Sequence, residues 1–190
     1  MTDLSRVALL VIDVQNDFLP GGALAIPDAD SILAPVNALM ALPFAAIVAS
    51  RDWHPPLHVS FQPEGGPWPV HCVAGTKGAA FPPALERSRL THIVHKGLDP
   101  QCDSYSAFFD NARRHRTGLE GLLRDLDITR VVLCGLALDV CVAATAMDAV
   151  GCGFGASIVL PACRAVRPDT GACLSMLRKH GIGLGTTLAP

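Results

Sequence analysis

Six short apolar runs, each cut off by a polar or turn residue, constrain this chain more than any other feature. Val7–Ile12 ends at Asp13, residues 45–50 end at Arg51 and Asp52, residues 91–95 end at Lys96, and residues 130–135 lead into a helix start. Residues 156–160 stop at Pro161, and residues 181–187 close the series. None of these runs alternates polar and apolar side chains, as a strand with one wet face does. Continuous apolar strands belong to a parallel sheet covered on both faces. Helical patterns lie between them over residues 31–42, 119–127, 140–150 and 170–180. Ser31 or Asp30 is expected to cap the first and Asp139 the third, with Pro43 and Gly181 as stops. The order predicts an α/β fold with three layers, α/β/α, around a mostly parallel six-stranded sheet. With 190 residues, half of them hydrophobic, one domain spanning residues 1–190 is expected.

The charge pattern excludes several partners. The formal net charge is -2, and the basic residues cluster only at Arg113, Arg114, His115 and Arg116. Nucleic acid is not expected as a partner, because phosphate binding needs a basic face. No membrane partner is expected either, since no apolar run approaches the ~20 residues that span a bilayer. The first residues lack the pattern of a signal peptide. Seven cysteines are an odd number in a chain large enough to fold without staples, so reduced thiols and a cytoplasmic location are expected. The oligomeric state is left open. Two regions, residues 51–83 and 97–117, lack periodicity, and loops of that length in a compact domain are usually functional.

Ligands of open α/β sheets bind beyond the carboxyl ends of the strands. Asp13, Asp52, Lys96 and Cys141 all follow apolar runs. Cys141 falls in the first turn of a helix, where free N–H groups and the helix dipole favour a thiolate and can receive an oxyanion. A cysteine among Val, Ala and Met is also a common small core residue. Asp13, partly desolvated, is expected to have a raised pKa and could exchange a proton with a thiol; it could equally accept hydrogen bonds from loop amides. Lys96 could pair with Asp13 or simply be exposed. Asp52 and His54 project to one face of an extended segment. With His71 they offer one carboxylate and two imidazoles, which leaves open positions on a divalent metal. His58 and Glu64 are further possible ligands, directly or through water. The alternative is a proline-rich loop whose histidines pack and hydrogen-bond.

These pieces together resemble the isochorismatase-like cysteine hydrolases, and most closely the nicotinamidases among them. The matching motifs are Val11-Ile-Asp-Val-Gln-Asn-Asp-Phe18 with Pro20-Gly-Gly22, Ser50-Arg-Asp-Trp-His54, His58-Val-Ser-Phe61 and Trp68-Pro-Val-His-Cys-Val-Ala-Gly-Thr76. His95-Lys-Gly97, Asp103-Ser-Tyr-Ser-Ala-Phe108 and Gly135-Leu-Ala-Leu-Asp-Val-Cys-Val142 complete the set. The resemblance implies a catalytic triad of Asp13, Lys96 and Cys141, and a zinc, iron or manganese ion on Asp52, His54 and His71. It implies that Phe18, Trp68 and Tyr105 sandwich a pyridine ring. It also implies a cis peptide before Ala137, with the Ala137 and Cys141 amides facing the oxyanion. The implied reaction is hydrolysis of nicotinamide to nicotinic acid and ammonia through a cysteine thioester, as a step of NAD salvage; whether pyrazinamide also enters the pocket is left open. Another amidohydrolase acting on a carbamoyl or ureido compound is the alternative. A non-catalytic metal or thiol protein using Cys72, Cys102 and Cys141 is disfavoured by the absence of any Cys-x-x-Cys pair. Leu138 and Val140 depart from the family pattern, where threonine and an aromatic or histidine are common.

Overall fold

The computed structural model describes residues 3–186. Six strands form one sheet in the order β3-β2-β1-β4-β5-β6, with every pairing parallel. They are β1 (Val7–Ile12), β2 (Ala46–Asp52), β3 (His92–Lys96), β4 (Arg130–Leu136), β5 (Gly155–Arg164) and β6 (Gly183–Gly185). Four helices connect them: α1 (Leu33–Met40), α2 (Leu119–Asp125), α3 (Ala143–Gly151) and α4 (Gly171–Lys179). Residue 187, placed by the sequence at the end of the last strand, lies outside the described residues.

The central strand explains the unbroken apolar runs. Val7, Leu9 and Val11 of β1 pack into a core with Val36, Leu39 and Met40 of α1. Ala8, Leu10 and Ile12 face the opposite core, with Leu119 and Leu123 of α2, Ala146 of α3 and Leu177 of α4. Alternate residues therefore go to opposite faces, and both faces are dry. Among the described residues, no helix is long and apolar enough to cross a membrane.

Three local expectations are corrected. Strand β5 does not stop at Pro161 but continues to Arg164. Its pairing jumps from Leu133–Ile158 to Gly135–Cys163, and this irregular stretch accommodates a proline that has no N–H to give the ladder. Neither Ser31 nor Asp30 caps α1, because a 3-10 turn over Ala29–Ile32 precedes it; the Ser31 hydroxyl donates instead to Asp28 O at 2.6 Å. Asp139 caps no helix either. Its carboxylate accepts the Val166 and Arg167 N–H groups at 2.9 and 3.0 Å, tying the turn that carries Cys141 to the loop after β5. Gly181 does act as a helix stop, at φ +75° with its N–H on Arg178 O.

The strand order fixes where a site forms. The sheet changes winding direction between β1 and β4, and a crevice opens at such a switch point. Asp13 follows β1, Cys141 lies just beyond β4, and Asp52 and Lys96 end β2 and β3. Four neighbouring strands thus deliver their polar termini to one edge.

Candidate active site

Lys96 is the hub of this edge. Its ammonium is 2.9 Å from Asp13 Oδ2 and 2.5 Å from Asp52 Oδ1, donates to Ser104 O at 2.8 Å, and lies 3.6 Å from Cys141 Sγ. Asp52 and Lys96 are register partners in a parallel pair, so their side chains share a face. Lys96 is 1% exposed and Asp13 0% exposed, so burial, which alone would lower the lysine, is outweighed by the two carboxylates that hold its pKa well above the ordinary value. Lys96 is therefore a buried ammonium paired with two acids, and the possibility of an exposed lysine is removed.

Asp13 sits at φ +48° just past its strand. The Ser50 hydroxyl donates to Asp13 Oδ1 at 2.6 Å. Burial lifts its pKa to about 6, against the opposing pull of Lys96. It is thus a carboxylate that can both take and return a proton near neutral pH. Donor atoms of Asp13, Asp52 and Cys141 all lie within 4.8 Å of one another.

Cys141 occupies a π-helical turn over Leu138–Val142 that runs into α3, and Val140 and Val142 both donate their N–H to Ala137 O. The peptide bond before Ala137 is cis. The expected helix-stabilised thiolate is not what this site holds. Burial pushes the thiol well above its ordinary value, with Asp13 and Asp52 adding to the rise and Lys96 opposing it. Desolvation and two carboxylates outweigh the helix start and favour the protonated sulfur beside Asp13. Thr145, also buried, donates to Cys141 O at 2.7 Å and accepts Ala107 N–H at 3.0 Å.

Asp52, His54 and His71 form a buried donor group whose ligand atoms lie within 4.8 Å of one another. His54 Nδ1 bonds to Gly97 O at 3.0 Å and His71 Nδ1 to Pro69 O at 2.8 Å. A carbonyl only accepts, so each Nδ1 carries the proton and each Nε2 keeps its lone pair. Burial lowers the pKa of both rings, favouring the neutral form a metal needs. His54 Nε2 is buried without a hydrogen-bond partner, which is the state of a donor meant for an ion. These residues fit a divalent cation.

The two further candidates separate. His58 is fully buried, 4.1 Å from His54 between ring centroids, and forms a second donor group with His54 and Asp103. Its Nδ1 lies 2.6 Å from Ser60 Oγ and 3.3 Å from the Ser60 amide, and its Nε2, like that of His54, is buried without a hydrogen-bond partner. Glu64 is exposed on a 3-10 turn over Gln62–Glu64 and joins no donor group among the described residues.

A pocket opens onto this edge, bounded by Phe18, Trp68, Tyr105 and Val140, with Asp52, His71 and Cys141 also in its wall. It is a narrow pocket with a cavity volume of about 40 Å³. The Trp68 indole N–H points at Tyr105 OH, 3.4 Å away.

Residues 7–182 match the model of the isochorismatase domain. The chain belongs to the isochorismatase family. The nicotinamidase of Escherichia coli (strain K12), one of its relatives, is 42% identical over 177 residues, covering 84% of this chain and 83% of that protein. PnC1 from L. infantum, solved in complex with nicotinate, superposes with a TM-score of 0.94 at 40% identity, over 96% of this chain and 93% of that one. The pyrazinamidase of Pyrococcus horikoshii, solved in complex with zinc, superposes at 0.82 with 37% identity, over 95% and 98% of the two chains.

Sequence reasoning gave no role to Thr145, nor to Ser50, Asp103 and Ser104, which it met only inside the matching motifs. Ser50 carried a signal, since it lies two residues before Asp52 on the same strand face. Gly97 carried another: it has φ +65°, and a Cβ there would stand 2.4 Å from His54 Cε1.

Proposed function

We propose that this chain is a single catalytic domain that hydrolyses nicotinamide to nicotinic acid and ammonia, as a step of NAD salvage, and that it also takes pyrazinamide. The observation that carries this reading is the buried Asp13–Lys96 pair beside the Cys141 thiol, at the foot of an aromatic pocket whose wall includes a metal-type donor group. The nicotinamidase relative and the nicotinate-bound neighbour support the same substrate class.

In the proposed mechanism the carboxamide enters with its ring between Phe18, Trp68 and Tyr105. Asp13 accepts the thiol proton as Cys141 Sγ attacks the amide carbon, which avoids a free thiolate in a buried site. The backbone N–H groups of Ala137 and Cys141 receive the oxyanion. Asp13 returns its proton to the departing nitrogen, ammonia leaves, and a thioester remains. Asp13 then takes a proton from water, which cleaves the thioester and restores the thiol. Lys96 keeps Asp13 ionised enough to act as a base and offsets charge near the sulfur. A zinc, iron or manganese ion on Asp52, His54 and His71 supplies, when bound, a Lewis-acid contact for a ring nitrogen. His58, whose Nε2 is buried and unpartnered beside His54, is a further candidate ligand.

Seven free cysteines support a cytoplasmic setting. The test is ammonia release from nicotinamide by the purified, zinc-loaded chain. Wild-type turnover that disappears in Cys141→Ala is expected. A metal-loaded protein that leaves nicotinamide intact refutes the reading. Full activity in an Asp52→Ala, His54→Ala double variant points instead to the carbamoyl or ureido alternative.

A further inference from the structure

Gln15, Asn16 and Asp17 begin two residues after Asp13, and the chemistry above uses none of them. Gln15 is 0% exposed. Its amide is nonetheless saturated. Nε2 donates to Asp52 O at 2.8 Å and to Ala79 O at 2.9 Å, while Oε1 accepts the Asp52 N–H at 2.8 Å. One side chain thus grips both backbone polar groups of a single residue, as a neighbouring strand would. Leaving such buried groups unpaired is costly, so the grip is specific to an amide.

The next two residues hold a different segment. Asn16 Nδ2 donates to Lys77 O at 2.7 Å. The Asn16 and Asp17 N–H groups donate to Ala80 O and Gly78 O, each at 3.0 Å. Asp17 Oδ2 accepts the Cys72 N–H at 2.7 Å. A Cβ on Gly78 would stand 2.1 Å from that same Oδ2, so the close approach requires glycine. Cys72 is the neighbour of His71. Residues 72–80 belong to neither helix nor strand, and these contacts fix their register.

The tripeptide therefore ties Asp52 to the His71 loop, beside the direct backbone pairing in which His54 N–H donates to Cys72 O at 3.0 Å and Ala74 N–H to His54 O at 2.8 Å. We propose that Gln15 is a positioning residue that locks the end of β2 to the His71 loop, and so sets the affinity of the Asp52, His54 and His71 group for a divalent cation. Asp17 completes the lock from the loop side. The proposal rests on the metal assignment made above. It makes Gln15 responsible for the geometry of two donors it does not touch through their side chains.

The experiment measures Zn²⁺ affinity by chelator competition on the full chain, for wild type, Gln15→Leu, Asp17→Ala and Leu123→Ala. Leu123 is fully buried in the other core and serves as a control for lost stability alone. Gln15→Leu is expected to weaken Zn²⁺ binding by about 10–100-fold, the usual effect of losing a group that orients metal ligands. Asp17→Ala is expected to weaken it in the same direction, and it decides the matter should Gln15→Leu not fold. Leu123→Ala is expected to lower the thermal midpoint with unchanged Zn²⁺ affinity. Wild-type affinity in the folded Gln15 and Asp17 variants overturns the proposal while leaving the metal assignment standing. Equal weakening in Leu123→Ala overturns it too, as a general stability effect. A wild-type chain that takes up no Zn²⁺ overturns the metal assignment itself and this proposal with it.

Discussion

Replacing Lys96 by methionine removes a charge that two carboxylates share, in a place water does not reach. Asp13 is 0% exposed and Asp52 5%, and the ammonium lies 2.9 and 2.5 Å from them. At an effective dielectric near ~20, a pair of charges ~2.9 Å apart attracts by about 6 kcal/mol. Relaxation reduces this, and removing one partner of a buried ion pair costs about 3–5 kcal/mol. The pH dependence makes the prediction specific. In the folded wild type, Asp13 already titrates above its ordinary value, at about 6. Without Lys96, burial acts unopposed and Asp52 adds repulsion, so Asp13 rises further. A carboxyl whose folded pKa is raised holds a proton that the unfolded chain releases. Its stability is therefore fully present below the unfolded value, near ~4, and is lost as pH climbs through the folded value. The deficit of Lys96→Met relative to wild type should thus be smaller at pH 5, where Asp52 but not Asp13 is mostly ionised beside the missing ammonium, and grow to about 3–5 kcal/mol at pH 8. Urea denaturation of metal-free protein at the two pH values measures it. An equal deficit at both, or none at pH 8, would refute the claim that Lys96 acts by pairing buried carboxylates.

Other outcomes follow from the same geometry. In wild type, kcat/KM for nicotinamide should fall below about pH 6, where Asp13 becomes protonated and ceases to act as a base; a pH profile checks the limb. Iodoacetamide should label Cys141 at a rate that climbs as Asp13 deprotonates, while Cys134 and Cys163, buried thiols raised by desolvation, stay unlabelled; peptide mapping across pH distinguishes them. Gly97→Ala should cost about 1–3 kcal/mol for a side chain in the left-handed region and weaken Zn²⁺ binding, because the new Cβ would collide with His54; thermal unfolding and chelator competition read the two effects. Val140→Phe should overfill the pocket by about 1–3 kcal/mol, raising KM for nicotinamide on the order of tenfold while Cys141 remains alkylatable.

Much of the site was legible because parallel strands end in register. An apolar run predicts a buried strand, and the residue after it must lie at the sheet edge. That logic located Asp13, Asp52, Lys96 and Cys141 correctly. It did not reveal that Lys96 bridges Asp13 and Asp52, because pairing across strands depends on strand order. Nor could it rank His58 against His71. Their surroundings differ only in the fold, with the Ser60 hydroxyl on His58 Nδ1 and the Pro69 carbonyl on His71 Nδ1. The helix caps failed for a similar reason: Asp139 found better donors in the Val166 and Arg167 amides than in its own helix.

Taken alone, the sequence determined the α/β class, the strands and the chemical types gathered at one edge, because those follow from local periodicity and composition. Tertiary structure decided the protonation states. Burial with the Asp52 and Asp13 carboxylates holds the Cys141 thiol up, against the thiolate that the helix start by itself suggested, and the same two carboxylates keep Lys96 charged against its burial. The strand order β3-β2-β1-β4 brings residues 13, 52, 96 and 141 together. Electrostatic interaction depends on distance through space and on solvent access, and neither is a property of separation along the chain.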